Sequence, residues 1–359
     1  MGRLVDSHTR PFFELLQVAV GNRATLTHLP SAEEEWVALV KEAEQQGLLG
    51  IFYSAIQVIL PQVDIPMVVY FSLEKAARKI EEKNKKCLEL FNSLSRFFAG
   101  RGYRTCLLKG QAAGVYYPNP LLRQSGDVDI WVEGSRGELV SLLRKHFPVR
   151  KVVYHHCAFL ESGLQAEVHF TPSWMNDFRA NRRLQRWFAS VADKQFSQGT
   201  TPAFNAVYFL IHIYRHVLEE GIGLRQMLDY YYVLQHLDEA DKEKVRQDLT
   251  HLHLLRFAGS LMYVLQEVFL LDDKYLLCPP DPKGGEYLLE STLMSGNFGW
   301  YDASNAHSVN ESLPAHVRRK LRRNFRLLLR FPSEVLSMPF FMLWQYVWRL
   351  MNGYLYHGR

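Results

Sequence analysis

Hydrophobic and polar positions follow two different periods along this chain. Between residues 12 and 99 the apolar side chains recur every three to four positions: Phe13, Leu16 and Val20, then Trp36, Leu39, Val40 and Ala43. That spacing lays them along one face of a helix. Ser31 and Glu34, three residues apart ahead of the second run, predict a capping box. Lys75 to Phe98 reads as a further helix with Leu88, Phe91, Leu94 and Phe98 on its apolar face, ended by Gly100 and Gly102.

The period then shortens. Thr105 to Leu108 predicts a strand running into Lys109-Gly110, and Gln111 to Tyr117 a short helix stopped by Pro118 and Pro120. Asp127 to Val132 predicts a second strand and Glu138 to Phe147 a helix; Val149 to Phe159 and Leu164 to Phe170 predict a hairpin around Glu161-Ser162-Gly163. From Pro172 helical spacing returns, at Ala203 to Glu220, Leu224 to His236, Lys242 to Leu270 and Leu321 to Leu329. The expected fold class is α+β, with a small mixed-sheet core flanked by helical regions. The expected division is an N-terminal helical region at 1–100, the α/β core at 101–172, a C-terminal helical domain at 173–312 and a basic, aromatic tail at 313–359.

Charge changes this picture at the second strand. Asp127 and Asp129 stand two residues apart in an otherwise apolar segment, so in a strand they share a face, roughly 7 Å apart. Val128, Ile130 and Val132 take the other face and anchor the strand in a core. Neighbouring like charges cost free energy unless a cation or strong donors compensate them, and a divalent metal is the natural compensator. In the second strand of the hairpin, Gln165, Glu167 and His169 alternate with apolar residues, and Glu167 supplies a third acid. Three carboxylates on two strands suit two magnesium ions, or manganese, that bridge the phosphates of a nucleoside triphosphate. Lys109-Gly110-Gln111, at the turn into a helix, would present backbone N–H groups to those phosphates. His169, on the same face as Glu167, reads either as a contact to metal-bound water or acceptor or as a structural hydrogen-bonding group.

Leu108-Lys109-Gly110, Tyr117-Pro118-Asn119-Pro120, Arg123, Gly126-Asp127-Val128-Asp129 and Glu167-Val168-His169 together resemble the nucleotidyltransferase superfamily that includes DNA polymerase beta. More narrowly, the chain resembles an uncharacterised bacterial nucleotidyltransferase family with a Lys-Gly turn in place of the usual Gly-Ser. The resemblance extends from the N-terminal helices to about residue 300. It implies transfer of a nucleoside monophosphate from a triphosphate to an acceptor hydroxyl of a protein, an RNA or a small molecule, with release of pyrophosphate. Asp127, Asp129 and Glu167 would be the catalytic metal ligands, and Lys109, Gly110, Gln111 and Arg123 the nucleotide-binding residues; the other reading of Arg123 is an ion pair with Asp127 or another acid. The turn lacks the superfamily's serine, and fifteen residues separate Gln111 from Asp127, more than the common spacing. The alternative is a nucleotide-binding regulatory protein with little or no turnover.

Other groups bear on the same reading. Arg225 and Asp229, four residues apart beyond Gly221 and Gly223, can pair on a helix; the resemblance makes them a wall of the nucleotide or acceptor site, and a plain ion pair is the other reading. His212 and His216 share a helix face, but their apolar neighbours favour a packing role, as they do for Tyr230, Tyr231 and Tyr232. Cys87, Cys106, Cys157 and Cys278 form no CxxC pair, which argues against a zinc knuckle or a disulfide framework.

The net charge of +5 is local. Arg318, Arg319, Lys320, Arg322, Arg323, Arg326 and Arg330 carry seven positive charges, and subtracting those seven from +5 leaves −2 for the rest. Interleaved with Leu321, Phe325, Leu327, Leu328 and Leu329 and followed by Phe340, Phe341, Trp344, Tyr346 and Trp348, this stretch suits an anionic membrane surface, or less well RNA phosphates. Residues 1–17 lack the apolar run of a signal peptide, and Val335 to Trp348, fourteen residues with Pro339 and Gln345 inside, is too short to span a bilayer. The expected location is cytoplasmic, with the tail as the element that would reach the inner membrane.

Overall fold

The protein, seen in a computed structural model, is described at residues 9–297 and 327–354. In chain order the elements are α1 (Thr9–Ala19), α2 (Glu33–Gln45), α3 (Leu49–Ile59), α4 (Met67–Ala99), β1 (Thr105–Leu108), α5 (Lys109–Gly114), β2 (Val128–Val132), α6 (Arg136–His146), β3 (Val149–Val152), β4 (His156–Glu161) and β5 (Leu164–His169). They continue with α7 (Phe178–Gln198), α8 (Pro202–Glu219), α9 (Leu224–Leu234), α10 (Glu239–His251), α11 (Leu255–Phe269), α12 (Pro282–Ser295) and α13 (Pro332–Met351). The fold is α+β, as the two periods require.

Two compact units interleave along the chain. One gathers the described residues of Met1–Lys85, Gly114–Ser125 and Glu219–Ala306; the other gathers those of Lys86–Ala113, Gly126–Leu218 and His307–Arg359.

The second unit is built on one five-stranded sheet in the order β1-β2-β5-β4-β3. β2 and β5 run parallel and the other neighbouring pairs antiparallel. Alternation along each strand gives the sheet two unlike faces. Val128, Ile130 and Val132 of β2, Cys157 and Phe159 of β4, and Ala166 and Val168 of β5 pack with Leu90, Leu94 and Phe98 of α4 and Leu139, Val140 and Leu143 of α6. Side chains of this size stabilise by about 1.5–3 kcal/mol each when fully buried. The sheet therefore gets its rigidity from the face that carries no chemistry. Ser135 caps α6 through a reciprocal bond pair with Glu138, so the helix enters its packing position with its first turn satisfied.

The hairpin of β4 and β5 turns on Ser162 (φ +51°) and Gly163 (φ +77°), the positive pair that a two-residue turn with the native strand twist needs. Its register pairs His156 with His169 and Ala158 with Glu167. The continuous strand expected from Val149 to Phe159 is instead two strands, β3 and β4, separated by Val153-Tyr154-His155. All three linking residues are apolar or aromatic enough to sustain the alternation through a break in the ladder.

In the first unit α1 packs on α3 and α11, with Phe12 and Phe52 rings 5.1 Å apart. Two expectations are corrected here. Ser31 and Glu34 make no capping box: Ala32 is the N-cap of α2, and the Ser31 N–H donates to Glu35 Oε2 at 2.6 Å. The single helix expected over Lys242 to Leu270 is α10 and α11, broken where His253 takes φ +59°. Leu252 and Leu254 stay buried on either side of the break, so apolar spacing runs on across it and conceals it.

The basic stretch at 318–326 lies outside the described residues. The helix that follows, α13, buries Val335 and Phe341 and exposes Leu336, Phe340 and Leu343. Among the described residues no helix is long and apolar enough to cross a membrane.

One glycine controls how closely the first unit packs around its 120–122 turn. A Cβ on Gly50 of α3 would stand 2.1 Å from the Leu122 carbonyl oxygen, with backbone on both sides. Gly50→Ala is expected to cost about 1–3 kcal/mol of stability, the usual penalty of overpacking, read as a lower denaturation midpoint.

Candidate active site

The face of the sheet opposite the apolar core carries the acids. β1 ends at Leu108, the register partner of Asp129 on β2, and Asp129 is in turn the partner of Glu167 on the parallel strand β5. One cross-strand row thus brings the end of β1, Asp129 and Glu167 to the same level. The next residue, Lys109, takes φ +45° at the corner between β1 and α5. A left-handed conformation in a residue other than glycine costs on the order of 1–3 kcal/mol and persists where the surroundings enforce it. The side chain of this residue is held by the acids: Lys109 Nζ lies 2.6 Å from Asp129 Oδ1 and 3.8 Å from Glu167 Oε2.

His169 completes the cluster. Its Nε2 lies 2.7 Å from Asp129 Oδ1 and 3.5 Å from Glu167 Oε2. His156 Nδ1 is 3.3 Å from the same Glu167 oxygen. Asp129 is 2% exposed and His169 fully buried, so these charges are compensated by one another rather than by bulk water.

The protonation states follow from that exchange. Burial works against the Lys109 ammonium, but Asp129, with Glu167 and Asp127, outweighs it and holds the amine well above its ordinary pKa. Burial also opposes the Glu167 carboxylate, yet His156, His169 and Lys109 keep it well below the usual carboxylate range. For His169, burial and the Lys109 charge favour the neutral ring, and the hydrogen bonds to Asp129 and Glu167 prevail and raise its pKa. Burial pushes His156 down to about 3 and His155 well below the ordinary imidazole value.

Asp127 precedes β2, half-buried, and its charge acts on Lys109 and Tyr208. Among the described residues, one ligand atom each from Asp129, Glu167 and His169 lies within 4.8 Å of the others. His169 therefore enters the tight set alongside two of the three expected acids. The two carboxylates of this set fit a hard divalent cation, since carboxylate oxygens are the ligands magnesium and manganese prefer. Gln111, two residues beyond Lys109, is buried with neither its amide oxygen nor its amide nitrogen hydrogen-bonded, so a polar group at that turn has capacity to spare.

The remaining expected residues lie in the first unit. Arg123 and Asp229 form a buried two-pronged pair, Nε to Oδ1 and Nη2 to Oδ2 both at 2.6 Å, and the Tyr117 hydroxyl donates to Asp229 Oδ1 at 2.6 Å. Asn84 donates to the carbonyls of Leu121 and Arg123, both at 2.7 Å. Arg225, expected to pair with Asp229, donates to the Gln124 carbonyl and to Asn297 Oδ1. Asp229 thus serves a partner far away in sequence rather than its helical neighbour. Tyr230, Tyr231 and Tyr232 are buried, in keeping with packing. His212 and His216 meet edge to face at 4.4 Å and belong to no candidate metal group among the described residues.

His155 and His156 are the site residues that reading the sequence passed over. The signal was available: a two-residue turn at Ser162-Gly163 makes paired positions sum to a constant, and that constant sets His156 opposite His169.

Removing one member of the Arg123–Asp229 pair strands a buried charge. Asp229→Ala is expected to lower unfolding free energy by about 3–5 kcal/mol, and Arg123→Lys to lower it as well because an ammonium cannot reproduce the fork. Urea denaturation followed by circular dichroism measures both; a change near zero for Asp229→Ala contradicts the assignment.

No curated protein matches the chain. The profile of an uncharacterised nucleotidyltransferase family matches residues 32–270, a stretch that contains β1 to β5, the Lys109 corner and every acid of the cluster. The chain belongs to that uncharacterised nucleotidyltransferase family.

Proposed function

We propose that this protein is a nucleotidyltransferase that moves a nucleoside monophosphate from a nucleoside triphosphate to an acceptor hydroxyl and releases pyrophosphate. The observation that carries this reading is the cluster of Lys109 Nζ with Asp129 and Glu167 against one face of the sheet, in a chain of a nucleotidyltransferase family. Asp127, Asp129 and Glu167 would hold magnesium or manganese, which when bound supplies positive charge to the triphosphate and to the departing pyrophosphate.

The chain's own residues account for the rest. Glu167 is kept ionised despite burial, so it is ready to bind a cation without first losing a proton. Asp129 is oriented by two donors on one oxygen, Lys109 Nζ and His169 Nε2, which leaves its other oxygen to a metal. Lys109 carries a permanent charge at the corner where Gly110 and Gln111 follow, and these three residues are assigned to the phosphates. In the transfer, a bond forms between the acceptor oxygen and the α-phosphorus while the bond from that phosphorus to the pyrophosphate oxygen breaks, and the acceptor hydroxyl gives up its proton to water. Fixed positive charge next to those oxygens lowers the barrier because it needs no reorganisation as the negative charge shifts.

Incubation with labelled triphosphates, magnesium or manganese, and candidate acceptors that include the protein itself is expected to yield metal-dependent transfer and pyrophosphate release. Asp129→Asn and Glu167→Gln should each lower the rate roughly 100-fold or more, the scale of losing a group aimed at developing charge. Nucleotide binding with no transfer to any acceptor and no pyrophosphate release would instead support a regulatory nucleotide-binding protein.

A further inference from the structure

Beside the acids lies a nitrogen-rich cluster of which the transfer reaction uses only the His169 Nε2 contact to Asp129. His156 opens β4 opposite His169, which closes β5, and His155 stands just before β4. The His155 carbonyl accepts from the Phe170 N–H at 2.8 Å, which ties the link before β4 to the end of β5. His155 and His156 are each 7% exposed and His169 is fully buried. Each of the three can bring one ring nitrogen within 4.8 Å of the other two.

Packing explains part of this arrangement. His155 stacks on Trp174 at 3.9 Å, and His155 Nε2 meets His156 Nδ1 at 2.8 Å. It leaves two nitrogens unexplained, because Nδ1 of His155 and Nδ1 of His169 are buried without a hydrogen-bond partner. Buried polar atoms in that state cost about 1–3 kcal/mol each. His169 shows a further sign. Its Nε2 is engaged by the Asp129 carboxylate at 2.7 Å, the orienting contact that metal-ligating histidines make with their non-ligating nitrogen.

We propose that His155, His156 and His169 form a second metal site, built of nitrogen donors, that takes a divalent transition ion of the zinc type. Three imidazoles are the wrong donors for magnesium, which prefers oxygen, and suitable ones for zinc, cobalt or nickel. An ion with metal–nitrogen distances near 2.05 Å spaces tetrahedral ligands about 3.3 Å apart, so the three ring nitrogens, within 4.8 Å of one another, would draw together to hold it. Three protein ligands leave a fourth position open to water or a substrate atom, as in sites where zinc is catalytic rather than structural. The two sites are neighbours on one sheet, with oxygen donors at Asp129 and Glu167 and nitrogen donors at the next rung.

The test uses the full chain without a histidine tag, stripped with chelator and titrated with cobalt in excess magnesium. One cobalt per chain is expected, with the strong visible absorption of a four-coordinate imidazole site, displaced by zinc and not by magnesium. His155→Asn and His156→Asn should each weaken cobalt binding by more than the roughly 10–100-fold that loss of an outer-shell partner costs. Asp127→Asn, which should abolish transfer, is expected to leave cobalt binding in place, so failure of one site is distinguishable from failure of the other. X-ray absorption at the cobalt edge of the unmodified protein counts the imidazoles directly, whether or not the variants fold. Cobalt binding that magnesium displaces, binding unaffected by both histidine variants, or an edge spectrum with fewer than two imidazoles would overturn the proposal.

Discussion

The site depends on one pairing, the parallel alignment of β2 with β5 that makes Asp129 and Glu167 register partners. Parallel neighbours must be joined by a crossover, and here the crossover carries α6, β3 and β4, so the hairpin that delivers Glu167 also delivers His156 to the adjacent rung. Bringing two carboxylates together under burial is costly by itself. The cost is offset locally, by a lysine at a left-handed corner whose amine reaches Asp129 and by a histidine that bonds the same Asp129 oxygen. The apolar face beneath supplies the stability that lets this face hold strained and charged groups.

A different solution to the same problem appears in the first unit. Arg123 and Asp229 come from positions 106 residues apart and meet in a two-pronged pair that Tyr117 and Ser125 complete. Every prong is matched there, with charge against charge. In the second unit Gln111 and the Nδ1 atoms of His155 and His169 have no partner. A fully matched pair fixes a fold; unmatched buried polar atoms occur in both units, Asn84 Oδ1 and Gln124 Oε1 among them, and those of Gln111, His155 and His169 differ in lying beside the acids.

What could be read in the sequence was whatever repeats locally. Alternation gave β1 to the residue and β2 to within one, and it predicted two unlike faces of β2: Val128 and Ile130 lie in the apolar cluster, while Asp129, equally buried, meets Lys109 and His169. Glu167 was found by the same alternation. Breaks were missed where apolar residues flank them, as at Leu252 to Leu254 and Val153 to His155, because periodicity registers side chains and not backbone angles. That Arg123 pairs with an acid was open to reading, but which acid was not, for a related reason. Asp229 had a plausible helical neighbour in Arg225, and nothing local signals that Arg123 offers a better fork.

The hairpin shows why neighbouring chemistries follow from one register. Positions 167 and 169 are two apart on β5, so their side chains share a face and stand on successive rungs roughly 7 Å apart. On the first rung Glu167 faces Asp129, and on the second His169 faces His156. A shift of one residue would present Ala166 and Val168 instead and turn the acid and imidazole into the core, which no buried face tolerates. The turn at Ser162-Gly163 fixes that register with two positive φ angles. Oxygen and nitrogen donors are therefore placed by the same two turn residues, and anything that loosens the turn must disturb both rungs together.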